Sequence, residues 1–196
     1  SYLCELLLEE NYEVFGLKRR SSSLNTSRID HIFENPKYKD KFHLIYGDLS
    51  DFSSIANFIG DVKPDLFFNV GAQSHVRVSF DIPEYTADIT GTGALRCLEA
   101  LRKNSPKTRF LNMASSEMFG STPPPQSETT VFHPMSPYSV AKVFSYYMTI
   151  NYREAYNLHA SNAITFNTES PRRGETFVTK KTVLGACRIK LGLQKK

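Results

Sequence analysis

The chain has few of the features that would place it in a disulfide-rich, metal-binding or membrane class of protein. Its three cysteines, Cys4, Cys97 and Cys187, lie far apart and form no C-x-x-C pair, which argues against a disulfide framework or a zinc site. Its five histidines show no metal-ligand spacing, so we predict no bound metal. No apolar run reaches 18 residues and the first residues do not resemble a signal peptide, so we expect a cytoplasmic protein without a membrane segment.

A strong excess of one charge is also missing. The 24 basic and 20 acidic residues are interspersed and give a formal net charge of +4, which favours small anionic ligands over nucleic acid. With 196 residues, of which 40% are hydrophobic, the chain is long enough for one sizeable core or for a domain and a fragment.

The chain does contain an alternation of short apolar strands and longer helices. Apolar patterning predicts strands at 12–17, 42–47, 65–70, 108–114 and 159–166. Helices are predicted at 1–10, 52–60, 83–104, 136–157 and 174–191, the third of them broken at its start by Gly91 and Gly93. This alternation predicts an α/β fold with a doubly wound parallel sheet of the Rossmann type.

The predicted order of elements begins on a helix rather than on a strand. In the doubly wound order 3-2-1-4-5-6 the first strand is central, so we expect that strand and a glycine-rich phosphate turn to lie before Ser1. We therefore expect a sheet that lacks its first strand and phosphate turn in this chain. A further region after Lys196 is also expected, because the basic helix that ends the chain has no partner in the sequence.

Tyr138 and Lys142 form the first candidate site. They stand four residues apart on a predicted helix capped by Ser136, so they share one face and lie about 6 Å apart. A lysine ammonium favours the phenolate, so we expect the pKa of Tyr138 to fall below its free value of about 10, which makes a general base. Ser115 and Glu117 follow the fourth predicted strand, at the end where open α/β sheets bind ligands. Either pattern alone is also found on ordinary surface helices and strand ends.

A second candidate site follows the strand at 12–17, where Arg19 and Arg20 precede Ser21 and Ser22. Arginine at this place matches the 2′-phosphate of NADP, whereas an acidic residue would accept a hydrogen bond from the 2′-hydroxyl of NAD. We therefore predict NADP, with a solvated basic loop as the alternative. Asp48 and Leu49, after the next strand, could hold adenine, and Asp48 could equally cap a helix.

The strand at 65–70 is followed by a segment that could form a wall against the cofactor: Val70, Gly71, Ala72, Gln73 and Ser74. Gly71 and Ala72 would let the backbone come close to a ligand, although an ordinary turn has the same composition. Arg172 and Arg173, after the last predicted strand, could bind a phosphate or could simply lie on the surface.

Taken together, these residues resemble the extended short-chain dehydrogenase/reductases that act on nucleotide sugars. A Tyr-x-x-x-Lys follows a serine-bearing strand, and Gly-x-Gly lies in the long helix. Within that superfamily, nearly the whole chain is similar to the GDP-mannose 4,6-dehydratase family. The stretches that carry this similarity are 47–49 (GDL), 71–76 (GAQSHV), 84–88 (EYTAD), 153–158 (REAYNL) and 169–174 (ESPRRG).

The resemblance implies tightly bound NADP, GDP-mannose as substrate, and a redox-neutral dehydration to GDP-4-dehydro-6-deoxy-D-mannose. Tyr138, close to Lys142 and Ser115, would remove the C4 hydroxyl proton as hydride leaves C4 for the nicotinamide. Glu117 would take the C5 proton and help expel water from C6, after which the hydride returns to C6. Glu117 separates dehydratases from the epimerases and reductases of this superfamily, which usually carry a small or apolar residue there.

The resemblance also implies roles for residues by their position. The NADP contacts that it implies are Arg19, Arg20, Ser21, Ser22, Asp48, Leu49, Val70, Gly71, Ala72, Gln73, Ser74, Tyr85, Lys142 and Arg173. The contacts to the sugar nucleotide that it implies are Ser74, Ser116, Asn167 and Lys181. It divides the chain into an NADP-binding domain at 1–166 and the start of a substrate-binding region at 167–196. It further implies a homo-oligomer, either a dimer or a tetramer, in which the Arg19 loop reaches a neighbouring subunit.

Three positions depart from the family's usual pattern. Ser115 stands in place of a threonine, Phe119 in place of a tyrosine, and Thr168 in place of a histidine.

Two other functions stay open at this point. One is another NDP-sugar dehydratase or epimerase, or a dehydratase that also reduces its keto product, and the other is a non-catalytic NADP-binding protein. Identifying the sugar that the complete protein forms from GDP-mannose would separate the first alternative from a GDP-mannose 4,6-dehydratase. Tyr138→Phe distinguishes the second, because a sensor would keep all its activity.

Overall fold

The computed structural model describes residues 1–195, which form two compact units, Ser1–Ile164 and the residues from Thr165 onward. The strands are β1 (Val14–Lys18), β2 (Phe42–Tyr46), β3 (Leu66–Asn69), β4 (Arg109–Met113) and β5 (Ala160–Ala163). The α-helices are α1 (Tyr2–Glu9), α2 (Asp30–Phe33), α3 (Phe52–Val62), α4 (Val76–Asp81), α5 (Pro83–Thr86), α6 (Gly93–Asn104), α7 (Pro137–Tyr156) and α8 (Val178–Lys190). A π turn (Ala87–Thr92) joins α5 to α6, and two 3₁₀ turns lie at Pro36–Tyr38 and Ser116–Met118.

All strand pairs are parallel, as predicted. β1 pairs with β2, and β3, β4 and β5 form a second section in that order. In the doubly wound order 3-2-1-4-5-6, β2 and β1 take positions 3 and 2, and β3, β4 and β5 take positions 4, 5 and 6. Within residues 1–195 no strand fills the place between β1 and β3, which confirms the expected sheet without its first strand.

The core lies on both faces of the sheet because side chains of β1 and β2 alternate. Val14 and Phe42 pack with Leu8 of α1 and with Ile32 in a smaller cluster. Phe15, the next residue of β1, packs instead against the larger cluster. That cluster joins α3, α6, β4 and the end of α7, and its fully buried members include Ile59, Leu98 and Leu101. Helices thus cover both faces, as a doubly wound sheet requires.

The long helix predicted at 83–104 is continuous, and the predicted break near Gly91 and Gly93 is a π turn instead. A Cβ on Gly91 would lie 3.5 Å from the Ala141 carbonyl oxygen of α7 and 3.2 Å from the Phe144 ring. A Cβ on Gly93 would lie 3.0 Å from Leu49 Cβ. These glycines therefore allow close packing on both sides of the helix.

Several predicted boundaries were wrong. α4 was not predicted; it begins where the His75 ring accepts from the Val78 N–H. Helix α8 begins at Val178 rather than at residue 174. β5 covers four residues rather than 159–166, because only these pair with β4. Across residues 1–195 no helix combines the length and apolar composition of a membrane span.

Candidate functional site

The carboxyl ends of β3, β4 and β5 lie at one edge of the sheet, and the turn after β4 carries three predicted site residues. Ser115 is only 7% exposed, and its Oγ accepts from the Glu117 N–H at 3.2 Å. This bond closes the 3₁₀ turn, while Met118 is fully buried beneath it. Glu117 is exposed and Ser116 is partly exposed. The turn therefore holds Ser115 against the protein and presents the Glu117 carboxylate to solvent.

Helix α7 begins at a capping box beside this turn. Ser136 Oγ accepts from the Ser139 N–H, and Ser139 Oγ accepts from the Ser136 N–H. Pro137 occupies the first helical position, where its missing N–H costs no hydrogen bond. Tyr138 follows at 8% exposure, so the cap fixes the backbone from which the phenol projects.

Lys142 lies one turn after Tyr138, as the spacing predicts. Its Nζ is 5.8 Å from the centre of the Tyr138 ring and donates to the Met113 carbonyl oxygen at 2.6 Å. The side chain is 6% exposed, and burial lowers the pKa of this amine from 10.5 to about 8. An ammonium held between the end of β4 and a tyrosine ring is suited to stabilising a phenolate. Whether the pKa of Tyr138 falls accordingly stays a prediction.

Sequence reasoning missed a row of three asparagines beneath these residues, two of them buried (Asn69 and Asn112) and one partly buried (Asn162). Asn69, Asn112 and Asn162 are register partners on β3, β4 and β5. Asn69 Nδ2 donates to Asn112 Oδ1 at 3.0 Å, and Asn112 Nδ2 donates to Asn162 Oδ1 at 3.0 Å. The only signal in the sequence is an asparagine near the end of each of three apolar strands. That signal becomes meaningful only when the strand register is known.

An aromatic cluster holds the loop that separates the β4 turn from α7. Phe132 of this loop lies between Phe119, with ring centres 5.3 Å apart, and Tyr146, at 5.0 Å. Gly120 has a φ of +53°, and the His133 backbone packs directly on its Cα. Phe119 is 4% exposed and serves as a packing residue here.

A second group of predicted residues gathers at the ends of β1 and β2. The Arg20 guanidinium lies 4.1 Å from the centre of the Tyr46 ring, and Lys18 Nζ lies 4.7 Å from the same centre. Arg20, Ser21, Ser22 and Tyr46 line an open surface depression of about 320 Å³. A guanidinium and two hydroxyls around one depression fit a phosphate group. Arg19, like Arg20 and the two serines, is exposed.

The residues after β2 are tied to the long helix. Asp48 Oδ1 accepts from the backbone N–H and the hydroxyl of Ser50, so this oxygen holds its own turn. The Leu49 carbonyl accepts from Arg96, whose other terminal nitrogen pairs with Asp88 at 2.7 Å. The turn that was predicted to meet adenine is therefore braced from α6.

The segment after β3 is anchored in a similar way. The Gln73 N–H donates to Thr90 Oγ1 at 3.1 Å, and Thr86 Oγ1 donates to Gln73 Oε1 at 3.3 Å. A Cβ on Gly71 would lie 2.6 Å from Leu49 Cδ1, so this glycine permits contact between the two segments. The other predicted residues of this region are Val70, Ser74 and Tyr85, which are exposed, and Ala72, which is partly exposed.

The predicted residues Asn167, Arg173 and Lys181 belong to the second unit. Arg173 packs its guanidinium 3.9 Å from the centre of the Phe177 ring, and its Nε is 3.7 Å from a Glu169 carboxylate oxygen. Asn167 and Lys181 are exposed. Throughout residues 1–195, no three His, Cys, Asp or Glu side chains are grouped as metal ligands.

The chain matches a family model described as GDP-mannose 4,6 dehydratase over residues 1–196. It is 56% identical to GDP-mannose 4,6 dehydratase 1 of Arabidopsis thaliana, over all of this chain and 56% of that protein. The chain spans about half the length of the curated relatives that it matches.

Solved structures share the fold at lower identity. DesIV, a dTDP-glucose 4,6-dehydratase from Streptomyces venezuelae solved with NAD and TYD, matches with a TM-score of 0.80 and 20% identity. That match covers 97% of this chain and 58% of DesIV. RMD from Pseudomonas aeruginosa, solved with NADPH, matches with a TM-score of 0.72 and 23% identity over 91% of this chain and 63% of RMD.

Proposed function

The chain belongs to the GDP-mannose 4,6 dehydratase family, and on that premise we propose that the whole protein dehydrates GDP-D-mannose to GDP-4-dehydro-6-deoxy-D-mannose. NADP would accept hydride from C4 of the sugar and return it to C6. The observation that best supports this function is the buried Lys142 amine beside Tyr138, at the end of the strand that leads to Ser115 and Glu117. A lysine-assisted phenol and a nearby carboxylate are the two bases that the reaction needs.

Tyr138 is proposed as the base for the C4 hydroxyl. Lys142 is mostly protonated at neutral pH because its pKa is about 8, and in a buried setting its charge favours the phenolate strongly. Ser115 Oγ accepts from the Glu117 N–H, so its own O–H can donate to the same substrate oxygen. The C4 oxygen would then meet one donor and one base.

Glu117 is proposed as the base for the C5 proton. Oxidation at C4 makes that proton acidic, and the carboxylate can take it and then assist the departure of the C6 hydroxyl as water. Its exposure leaves the side chain accessible to a sugar above the turn.

The cofactor is proposed to be NADP rather than NAD. Arg20, Ser21 and Ser22 around one open depression support this choice, and the Tyr46 ring packs against the arginine. Arg20→Ala should raise the Kd for NADP at least tenfold while changing the Kd for NAD little, as measured by calorimetry. Lys39→Ala, which removes an exposed charge from the same part of the chain, serves as the control. Equal loss of both cofactors in Arg20→Ala would contradict the assignment.

The reaction is tested by incubating the whole protein with GDP-mannose and identifying the sugar by NMR. Tyr138→Phe should lower kcat by about 10²-fold or more. Tyr156→Phe, at the far end of the same helix and exposed, should leave kcat unchanged. Full activity in Tyr138→Phe would show that another group removes the C4 hydroxyl proton, whereas NADP binding without any dehydration by the wild-type protein would favour a non-catalytic role.

Glu117→Gln separates the dehydratase from an epimerase. Without the carboxylate, the variant should no longer exchange the C5 proton with deuterated solvent or lose water from C6. If Glu117→Gln still forms the 6-deoxy sugar at the wild-type rate, another group must be the C5 base.

A homo-oligomer, as a dimer or tetramer, is also proposed. Val140, Phe144 and Tyr147 form an exposed apolar stripe at helical spacing on α7, and Phe80 of α4 is exposed as well. Phe144→Glu should therefore shift the sedimenting species toward a monomer in analytical ultracentrifugation. An unchanged mass would exclude this stripe from the interface.

The three cysteines are free, which supports a reducing, cytoplasmic location.

A further inference from the structure

The asparagine row, made of Asn69, Asn112 and Asn162, does more than join three strands. Asn112 is fully buried, and each of its amide hydrogens has an acceptor: one is Asn162 Oδ1 and the other is Ser145 Oγ of α7, at 3.3 Å. Asn162 Nδ2 in turn donates to the Tyr146 carbonyl oxygen at 3.1 Å. The row therefore ends on two consecutive residues of the helix that carries Tyr138 and Lys142.

Ser145 connects this row to the backbone of Lys142. Its hydroxyl donates to the Lys142 carbonyl oxygen at 2.9 Å while accepting from Asn112. The hydroxyl has a single hydrogen, so the two bonds use it as donor once and acceptor once. At 1% exposure, no water can easily replace either partner.

Lys142 is thus fixed to β4 at two levels, one turn apart on the helix. Its Nζ donates to the carbonyl of Met113, and its own carbonyl is bound through Ser145 to Asn112, the residue before Met113. Two fixed points define both the rotation of α7 and its depth against the strand. Loss of one point would let this part of α7 shift slightly against β4, which would move the amine relative to the Tyr138 ring.

Apolar side chains would join the strands to the helix without needing hydrogen-bond partners. Buried amides are costly unless each donor and acceptor is matched, and they tolerate only one geometry. A matched polar network is therefore suited to setting a position rather than to adding stability.

We propose that Asn112 and Ser145 are positioning residues that set the height of the Lys142 amine against Tyr138. This role rests on the proposed dehydratase function. Neither residue touches the reacting atoms; both act through Lys142. Loss of the link should slow proton removal from the C4 hydroxyl while leaving the binding of GDP-mannose intact.

The test compares Ser145→Ala with Thr149→Val in the whole protein. Thr149 lies one turn further along α7 and is equally buried, and its hydroxyl donates only within the helix, to the Ser145 carbonyl oxygen at 2.8 Å. Ser145→Ala should lower kcat about tenfold, because small misplacements of catalytic groups cost about this much or more. KM for GDP-mannose should stay within about twofold of the wild type. Thr149→Val should change neither constant.

Asn112→Leu removes both bonds between the asparagines, leaving Asn69 Nδ2 without its acceptor and Asn162 Oδ1 without its donor, and we expect a lower yield of folded protein. Ser145→Ala, which removes one hydroxyl, keeps the test decisive in that case. Equal effects of Ser145→Ala and Thr149→Val on kcat would overturn the positioning role, and so would a parallel rise in KM. If the wild-type protein does not dehydrate GDP-mannose, the proposed function fails first and this role fails with it. An active wild type with an unaffected Ser145→Ala removes the positioning role alone.

Discussion

Gly60 and Gly93 offer a matched pair for testing how tightly the long helix packs on the turn after β2. Both lie in helices of the first unit, but a Cβ on Gly60 would meet nothing within 4 Å, whereas one on Gly93 would lie 3.0 Å from Leu49 Cβ. Leu49 Cβ is bonded to the backbone and cannot rotate away, and the Leu49 carbonyl is held by Arg96 at 2.9 Å. The added methyl group at position 93 must therefore displace backbone.

The two substitutions should change the free energy of unfolding in opposite directions. Alanine in place of glycine within a helix gains about 0.5–1 kcal/mol, which is the expected effect of Gly60→Ala. At Gly93 the same gain is opposed by an overpacking cost of about 1–3 kcal/mol, so Gly93→Ala should be destabilising by up to about 2 kcal/mol. Each kcal/mol corresponds to about 2–4 °C in Tm for a domain of this size.

Thermal unfolding followed by far-UV circular dichroism measures both values in the same protein. A higher Tm for Gly60→Ala and a lower Tm for Gly93→Ala is the expected result. Because Leu49 is a predicted cofactor contact, Gly93→Ala should also weaken NADP binding, whereas Gly60→Ala should not. Equal stabilisation by both substitutions would refute the close approach of the helix to Leu49.

Three further predictions concern charge and packing. Lys142→Met should abolish activity yet raise Tm at neutral pH, because the folded protein then has no charged amine to bury. The folded pKa of Lys142, about 8, lies below the ordinary value of 10.5, so the stability of the wild-type protein should rise as the pH rises from about 8 to 10.5, and the variant should lack that rise. Arg102→Gln should raise the pKa of Glu99, because Arg102 is the main group that lowers it to about 2. The stability of the wild-type protein should fall as the pH drops from about 4.5 to about 2, and the Tm of the variant, measured across this range, should fall less. Phe132→Ala should lower Tm by removing the ring between Phe119 and Tyr146, and limited proteolysis should cut between residues 120 and 135 faster than in the wild type; an unchanged cleavage rate would show that other contacts hold the loop.

Features set by local rules could be predicted from the sequence. The cap at Ser136, the end of α7 near Asn157 and the placing of Tyr138 beside Lys142 depend on residues a few positions apart. The strand order could also be predicted, because a doubly wound sheet built from alternating strands and helices allows few arrangements.

Features set by register or by distant partners could not be predicted. The asparagine row depends on which residues of β3, β4 and β5 lie side by side, and no local pattern gives that. The Met113 carbonyl that holds Lys142 is a backbone group with no mark in the sequence. The polar tethers of Gln73 likewise join residues 13 and 17 positions apart. The assignments of the remaining site residues to cofactor or sugar stay predictions.

The π turn at Ala87–Thr92 fixes the number of residues in this stretch, whatever side chains the stretch carries. A π turn holds one residue more than an α-turn, and each residue rotates a helix by about 100°. The buried threonines before and within it face Gln73, while Arg96 beyond it reaches Asp88 and Leu49. Deleting one residue would convert the π turn into a regular α-turn, but it would rotate Arg96 by about 100° around the helix axis, away from Asp88 and Leu49. Single-residue gaps should therefore be poorly tolerated in this stretch even where substitutions are accepted.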